Sequence, residues 1–347
     1  MGITKLSVCL PTCNGDRFVA EAIGSVLSQT FDDFELIVVD DCSDDTTREI
    51  VGTFTDPRMT IYENDRRLGI PGNWNRCLDL AKGEYICIFH QDDLMLAENL
   101  ERKVAVLTAD PTIGMVHSAV ELRVEESAPE FSSAWMEKSP VDFISDGLSY
   151  FRKLLLRGNC VCAPTVVARR ESLARLGGFN ERFHFACDYE LWMRVCLEAR
   201  LAYLSTPLVA YRWHTANATH SFRLERGLAE AQTAAQSALQ FYREKVADAE
   251  EADLLADALD ALREARAWAF ELERGRAWLG DQVQSLRSEI ESLRTANAWL
   301  EEQRHRWQHG TEEREAHLKD LESRLPFRIL VRLGMLPRRS TQDPKIE

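Results

Sequence analysis

No stretch of this 347-residue chain reaches the roughly 18 consecutive apolar residues that a bilayer span requires, so no transmembrane helix is expected. Met1 to Asn14 lack a basic region followed by a long apolar run, so no secretory leader is expected there either. Basic charge is scarce. With 42 Lys and Arg against 56 Asp and Glu, the formal net charge is -14, which argues against a nucleic-acid backbone as the main partner because phosphate contacts need clustered cations. A small charged metabolite held through a metal stays compatible. The nine cysteines (Cys9, Cys13, Cys42, Cys77, Cys87, Cys160, Cys162, Cys187 and Cys196) are odd in number, and no two are spaced Cys-x-x-Cys, which removes the usual zinc and dithiol signatures. Several lie in strand-like runs and read as small buried apolar residues in a reducing cytoplasm. No Gly-rich, Lys-bearing phosphate loop follows the first apolar run, which weighs against a nucleotidyltransferase.

What is present is a pair of acid doublets, each placed directly after an apolar run: Asp40-Asp41 after Leu36 to Val39, and Asp92-Asp93 after Tyr85 to Phe89. A short apolar run bounded by turn residues reads as a buried strand of a parallel sheet, and ligands of such sheets sit beyond the carboxyl ends of the strands. Both doublets then face one crevice. Adjacent carboxylates with no basic residue beside them call for a divalent cation or polar ligand.

The first third alternates strand and helix signals. Leu6 to Leu10 is a strand stopped by Pro11, and Val19, Ile23, Val26 and Leu27 share one helical face. Leu36 to Val39, Met59 to Tyr62 and Tyr85 to Phe89 are further strands, with helices running to Phe54 and over Asn73 to Ala81. Repeated β-α-β order implies right-handed crossovers and a mostly parallel sheet. From Ile113 to about Ser221 the pattern is mixed, with strands expected at Gly114 to Leu122, Thr165 to Ala168 and Leu208 to Trp213. At 45% hydrophobic and 28% charged residues, the chain is long enough for one large core plus something further.

Leu10-Pro11-Thr12-Cys13-Asn14-Gly15, the run Ser28 to Thr46 with Asp40-Asp41-Cys42-Ser43 at its centre, Gly83-Glu84-Tyr85-Ile86 and His90-Gln91-Asp92-Asp93 together resemble the family-2 inverting glycosyltransferases with a GT-A fold. The resemblance covers the chain to about Ser221. It implies an α/β fold with a mostly parallel sheet flanked by helices, and transfer of a sugar from a nucleotide-sugar donor to an acceptor hydroxyl with inversion, usually with Mn2+ or Mg2+. By that resemblance Pro11, Thr12, Asn14, Asp41, Asn75 and Asp92 bind the nucleotide sugar, with Asp41 accepting from a base N–H; a carboxylate suits this because it only accepts. Pro11, Thr12 and Asn14 also read simply as a strand-ending turn. Asp92 and Asp93 take the place of the metal motif, whose commonest form is Asp-x-Asp-Asp; His90 stands in its first position, which counts against ligation there. Hard oxygen ligands suit either cation. Trp74 stands where many relatives show Arg, so Arg66, Arg67 and Arg76 remain the candidates for phosphate neutralisation.

The segment His184 to Val195 resembles the part of the family that carries the catalytic base, with Asp188 in that position. Inverting transfer needs one group to take the acceptor proton, and a carboxylate can serve. Asp188 also stands just before the helical pattern Leu191, Trp192, Val195 and Cys196 and reads as an N-cap, a role compatible with the first. His214, after Tyr211-Arg212-Trp213, is a candidate metal ligand or phosphate donor; the plain alternative is a solvated surface histidine.

After Ser221 the composition changes. Arg223 to Arg324 contain no proline and are rich in Ala, Glu, Leu, Arg and Gln, which reads as long helices. Leu279, Val283, Leu286, Ile290, Leu293, Asn297, Leu300, Arg304 and Trp307 form a heptad seam of about four repeats, with Asn297 at an a position. Pairing with a second copy is expected, the alternative being a helix folded back on its own catalytic domain. Leu325 to Arg339 is short, basic and apolar, able to lie in an anionic membrane surface or to dock on protein. The expected domains are residues 1–222, the transferase; 223–278, a helical region; 279–324, a coiled coil; and 325–347, a basic amphipathic tail. The expected partners are a nucleotide-sugar donor, a glycan or lipid-linked acceptor and a second copy, in the cytoplasm or at the inner face of the membrane. The competing reading is a transferase-like scaffold without turnover that acts through its coiled coil.

Overall fold

Alternate residues of the first two strands feed opposite faces of one sheet, and both faces are covered. In the computed structural model, which describes residues 4–126, 128, 136–217, 224–245, 253, 255–256 and 282–302, Cys9, Ile37, Val39, Ile86 and Ile88 enter one apolar layer, while Leu6, Val8, Leu10, Leu36, Val38 and Cys87 enter the other. Burial on both faces is why these strands read as unbroken apolar runs.

The order is β1 (Leu6–Thr12), α1 (Val19–Leu27), β2 (Phe34–Asp40), α2 (Thr47–Val51), β3 (Met59–Glu63), α3 (Gly69–Leu80) and β4 (Tyr85–Ile88). Then come β5 (Leu94–Met95), α4 (Asn99–Ala109), β6 (Ile113–Val124), β7 (Phe143–Ser145), α5 (Gly147–Arg157), β8 (Val167–Arg169), α6 (Arg170–Arg175), α7 (Cys187–Cys196), β9 (Arg200–Trp213) and α8 (Leu224–Lys245). The sheet runs β3-β2-β1-β4-β8-β6-β9-β5, with β7 paired to β9. β3, β2, β1 and β4 are parallel neighbours, as are β6 and β9; β8 lies antiparallel to both β4 and β6.

Pro11 does not stop β1. The pairing of β1 with β4 ends at Cys9, whereas its pairing with β2 continues to Thr12 opposite Asp40. Pro11 therefore sits where one flank is already free, and its missing N–H costs no ladder bond. The last strand is longer than its apolar signal, because β9 begins at Arg200 and pairs along β6 through register shifts. Asp188 also lies differently from the expected cap: α7 begins at Cys187, its N-cap is Ala186, and Asp188 is already in the first turn.

Two compact units divide the chain, Met1–Arg263 and Glu264–Glu347. α8 belongs to the first, where Ala234, Ala235, Ala238 and Tyr242 are buried. In the second, residues 282–302 form a helix, α9, on which Val283, Leu286 and Ile290 are exposed. Seam positions Leu279, Arg304 and Trp307 and the tail from 325 to 347 lie outside the described residues.

Candidate active site

The carboxyl ends of β2, β1 and β4 stand side by side, and each delivers polar groups to one rim of the sheet. Asp40 ends β2 buried, accepting from the Ser43 amide at 2.9 Å and the Thr12 hydroxyl at 3.2 Å. Asp41, also buried, accepts from the Asn64 amide group at 2.9 Å and from the Leu68 and Gly69 backbone amides at 2.7 and 2.8 Å. These last two donors form the amino end of α3, so Asp41 caps that helix while keeping acceptor capacity on Oδ2. Pro11 and Thr12 lie beside this pair. Asn14 follows in a left-handed conformation (φ 51), its amide donating to Ser43 Oγ at 2.9 Å and its Oδ1 accepting from the Asp44 amide at 3.0 Å.

The loop after β4 is tied to the loop after β1 by Gln91, which accepts from the Cys13 amide at 2.9 Å and donates to the Cys13 carbonyl at 3.1 Å. A Cβ on Gly15 would stand 2.2 Å from Gln91 Oε1, so only glycine allows this brace. Past it, ligand-type atoms of His90, Asp92 and Asp93 lie within 4.8 Å of one another. Asp93 is fully buried; one oxygen accepts from the Arg212 amide at 2.9 Å, while Oδ2 accepts no hydrogen bond and stands 3.7 Å from His90 Nδ1. His90 Nε2 is buried without a partner as well. Burial, then the neighbouring Asp92 charge, pushes the Asp93 carboxyl well above its ordinary range. For Asp92 burial acts in the same sense, but the His214 bond and the His90 and His214 charges outweigh it, and the net shift is downward. A buried carboxylate oxygen that accepts no hydrogen bond, with an imidazole nitrogen 3.7 Å away and the Asp92 carboxylate in the same group, is a donor set that fits a divalent cation.

His214 reaches this group through Asp92, its Nε2 lying 3.1 Å from Asp92 Oδ2, with Asn217 Nδ2 on the same oxygen at 3.2 Å. The Ala216 amide donates to His214 Nδ1 at 3.2 Å, which places the proton of the neutral ring on Nε2. As it stands, His214 is a donor to Asp92. The Phe18 ring packs against it, with centroids 4.8 Å apart.

Asp188 approaches from α7. Its Oδ1 accepts from the Tyr189 amide at 2.6 Å and its Oδ2 from Asn159 Nδ2 at 3.1 Å. Burial pushes its carboxyl up to about 6, against the lowering effect of those two donors. Burial raises the nearby Cys162 thiol first; the charges of Asp93, Asp188 and Asp92 push it further up, and that of Lys103 opposes them.

Asn75, a further site candidate, bonds to the loop that carries Phe179. Its Oδ1 accepts from the Phe179 amide at 2.8 Å and its Nδ2 donates to the Phe179 carbonyl at 2.8 Å and to Glu181 at 3.2 Å. Trp74, one residue earlier, faces the site, its ring 5.4 Å from that of His90. Sequence reasoning missed three contributors. His90 joins the cluster despite replacing an expected aspartate; Gln91 stood in the His90-Gln91-Asp92-Asp93 motif with no role of its own; Asn159, which follows Gly158 (φ 91), had no assigned role.

A nucleotide-binding type of parallel sheet, with acids at the ends of β2 and β4 and a further acid brought in on α7, defines the GT-A fold. Residues 7–175 match the family described as Glycosyl transferase family 2, so the chain carries a domain of that family and is a glycosyltransferase. Among curated relatives, it is 24% identical over 216 residues to the UDP-Glc:alpha-D-GlcNAc-diphosphoundecaprenol beta-1,3-glucosyltransferase WfgD of Escherichia coli, covering 62% of this chain and 79% of that one. Two solved structures share the fold. TarS of S. aureus in complex with UDP-GlcNAc superposes with a TM-score of 0.55 at 22% identity, covering 67% of this chain and 66% of that one. The mannosyltransferase PcManGT of Pyrobaculum calidifontis, in complex with GDP-Man and Mn2+, gives 0.53 at 19% identity, covering 95% and 83%. Among the described residues no helix is long and apolar enough to cross a membrane.

Proposed function

We propose that this glycosyltransferase inverts, moving a sugar from a UDP- or dTDP-sugar to an acceptor hydroxyl in the assembly of a surface glycan or polysaccharide. The observation that carries the reading is the Asp188 carboxyl, set in the first turn of α7, held by the Tyr189 amide and Asn159 Nδ2, and lifted to about 6 by burial. At neutral pH it is ionised yet basic enough to accept a proton in the transition state. As the acceptor oxygen attacks the anomeric carbon opposite the diphosphate, Asp188 takes the hydroxyl proton. The new glycosidic C–O bond forms as the bond to the phosphate oxygen breaks, with no covalent enzyme intermediate.

Asp92, Asp93 and His90 would hold Mn2+ or Mg2+, with His214 joining them if its Nε2 proton moves. Once bound, the cation neutralises the charge of the departing nucleoside diphosphate. We assign the nucleoside to the rim formed by Pro11, Thr12, Asn14 and Asp41, with Asp41 accepting from the base. Asn75 shapes that end through the Phe179 loop. The UDP-GlcNAc and the GDP-Man with Mn2+ named for the two structural neighbours support such a donor site. The diphosphoundecaprenol acceptor in the WfgD name supports a lipid-linked acceptor here.

The exposed seam residues Val283, Leu286 and Ile290 support pairing of α9 with a second copy. The basic tail from Leu325 is assigned to peripheral contact with an anionic membrane at the cytoplasmic face. The test is a panel of UDP-, dTDP- and GDP-sugars, scored for Mn2+-dependent thermal stabilisation and for release of nucleoside diphosphate. One donor is expected to give both signals, with release lost in Asp188→Asn. Silence across the whole panel overturns the reading.

A further inference from the structure

Helix α7 carries Asp188, yet no side chain of its own caps it; its N-cap is Ala186. The carboxylate that reaches the backbone just ahead of it comes from α8. Glu230 Oε1 accepts from the Ala186 amide at 2.9 Å and, more closely, from the Phe185 amide. A carboxylate on free amides at a helix start is both a hydrogen-bond acceptor and a favourable partner for the positive end of the helix dipole.

The approach of α8 is built for this contact. Gly227, one turn before Glu230, meets the Phe185 ring so closely that a Cβ would stand 3.3 Å from it. Ala234, Ala235 and Ala238 bury small side chains on the same helix. Further along, Ser237 Oγ donates at 3.1 Å to Glu190, which pairs with Arg194 at 2.7 Å inside α7, and Tyr242 stacks on Phe151 of α5 with ring centroids 5.4 Å apart. α8 thus holds α7 at its start and along its length, and it lies beyond the residues matched by the family.

We infer that Glu230 is a positioning residue for Asp188, so that α8 completes the catalytic centre. The inference rests on the reading of Asp188 as the base. Without the Glu230 carboxylate the loop at 184–186 loses its anchor, and the first turn of α7 drifts from Asn159 and from the acceptor. The donor rim belongs to β1, β2 and β4, which Glu230 does not touch, so donor binding stays intact while turnover falls.

The experiment measures nucleoside diphosphate release by the full chain, with the UDP-sugar that performs best in the panel, for Glu230→Ala, Glu230→Gln, Glu230→Asp and Asp188→Asn. Glu230→Ala is expected to lower kcat by about ten- to a hundred-fold with donor KM within about two-fold, the size of loss that a small misplacement of a reacting group produces. Glu230→Gln, which keeps an acceptor oxygen at the same reach, is expected to restore most of that kcat. If circular dichroism shows that the Ala variant does not fold, Glu230→Asp, shorter by one methylene, carries the same expectation. A folded Ala or Asp variant with wild-type kcat overturns the inference, as does a loss that Gln does not relieve. Asp188→Asn separates the two levels: full turnover there removes the base reading and this inference with it. An inactive Asp188→Asn beside a wild-type Glu230→Ala removes this inference alone.

Discussion

Asn159 Nδ2 donates to Asp188 Oδ2 across 3.1 Å, tying the loop after α5 to the first turn of α7. The bond stabilises the ionised carboxylate, so it works against the burial that lifts Asp188 to about 6. Asn159→Ala is therefore expected to raise that pKa, moving the acid limb of the kcat profile to higher pH. A limb that stays in place or moves down contradicts the assignment of Asp188 as the titrating base.

Asp188→Asn should separate activity from stability. A carboxyl raised from about 4 in the unfolded chain to about 6 in the native one makes the folded state bind more protons between those values. Stability then falls as pH rises through that window, and the loss is complete above it. The Asn variant is expected to gain about 1–2 kcal/mol at pH 7, and nothing at pH 3.5, while turnover drops by about 100-fold or more. Denaturant titrations at the two pH values check the first part. A stability change equal at both would show that charge is not its origin.

Lys103 offers a second test of buried charge. It is fully buried on α4, its Nζ has no hydrogen-bond partner, and burial lowers its pKa to about 7. From about pH 7 to 10 the unfolded chain holds this proton and the native chain does not, so stability should climb with pH across that range. Lys103→Met is expected to abolish the climb and to add on the order of 3 kcal/mol at pH 7. Persistence of the slope in the Met variant would place its origin elsewhere.

At the proposed cation site, His214→Ala removes the donor that fixes Asp92, and His90→Ala removes an imidazole from the group. Loss of such supporting bonds typically weakens a metal by about 10–100-fold. Mn2+ titration followed by electron paramagnetic resonance should show this for both variants, and a chelator should abolish donor release in the wild type. Unchanged Mn2+ affinity in His90→Ala would return position 90 to the non-ligating role its departure from the acidic motif implied.

For α9, Leu286→Asp with Ile290→Asp places charges in the exposed seam. Sedimentation of the full chain is expected to show an oligomer that the double variant reduces to a monomer, with per-chain turnover unchanged. A monomeric wild type would leave the seam without a second copy.

The four parallel strands, their order of appearance and the acids that follow β2 and β4 were legible in the chain, whereas Asp188 stands inside the first turn of α7 and not at the expected cap. Their reason is local: a doubly buried strand must be continuously apolar, and a turn residue must follow it, so Asp40-Asp41 and Asp92-Asp93 announce their own place. The helical character of residues 224–245 and 282–302 was legible through composition, and for the second of these through a seven-residue period.

What only the tertiary structure decided concerns pairs distant along the chain. Asn75 spends its amide on Phe179; His90 meets Asp92 and Asp93; Asn159 finds Asp188; Glu230 reaches the amides ahead of α7. A polar side chain has no period to betray its partner, since one hydrogen bond needs only two groups at one distance and direction. Those positions are fixed by how the layers pack, and a pKa near 6 at Asp188 exists only once packing has removed the water around it.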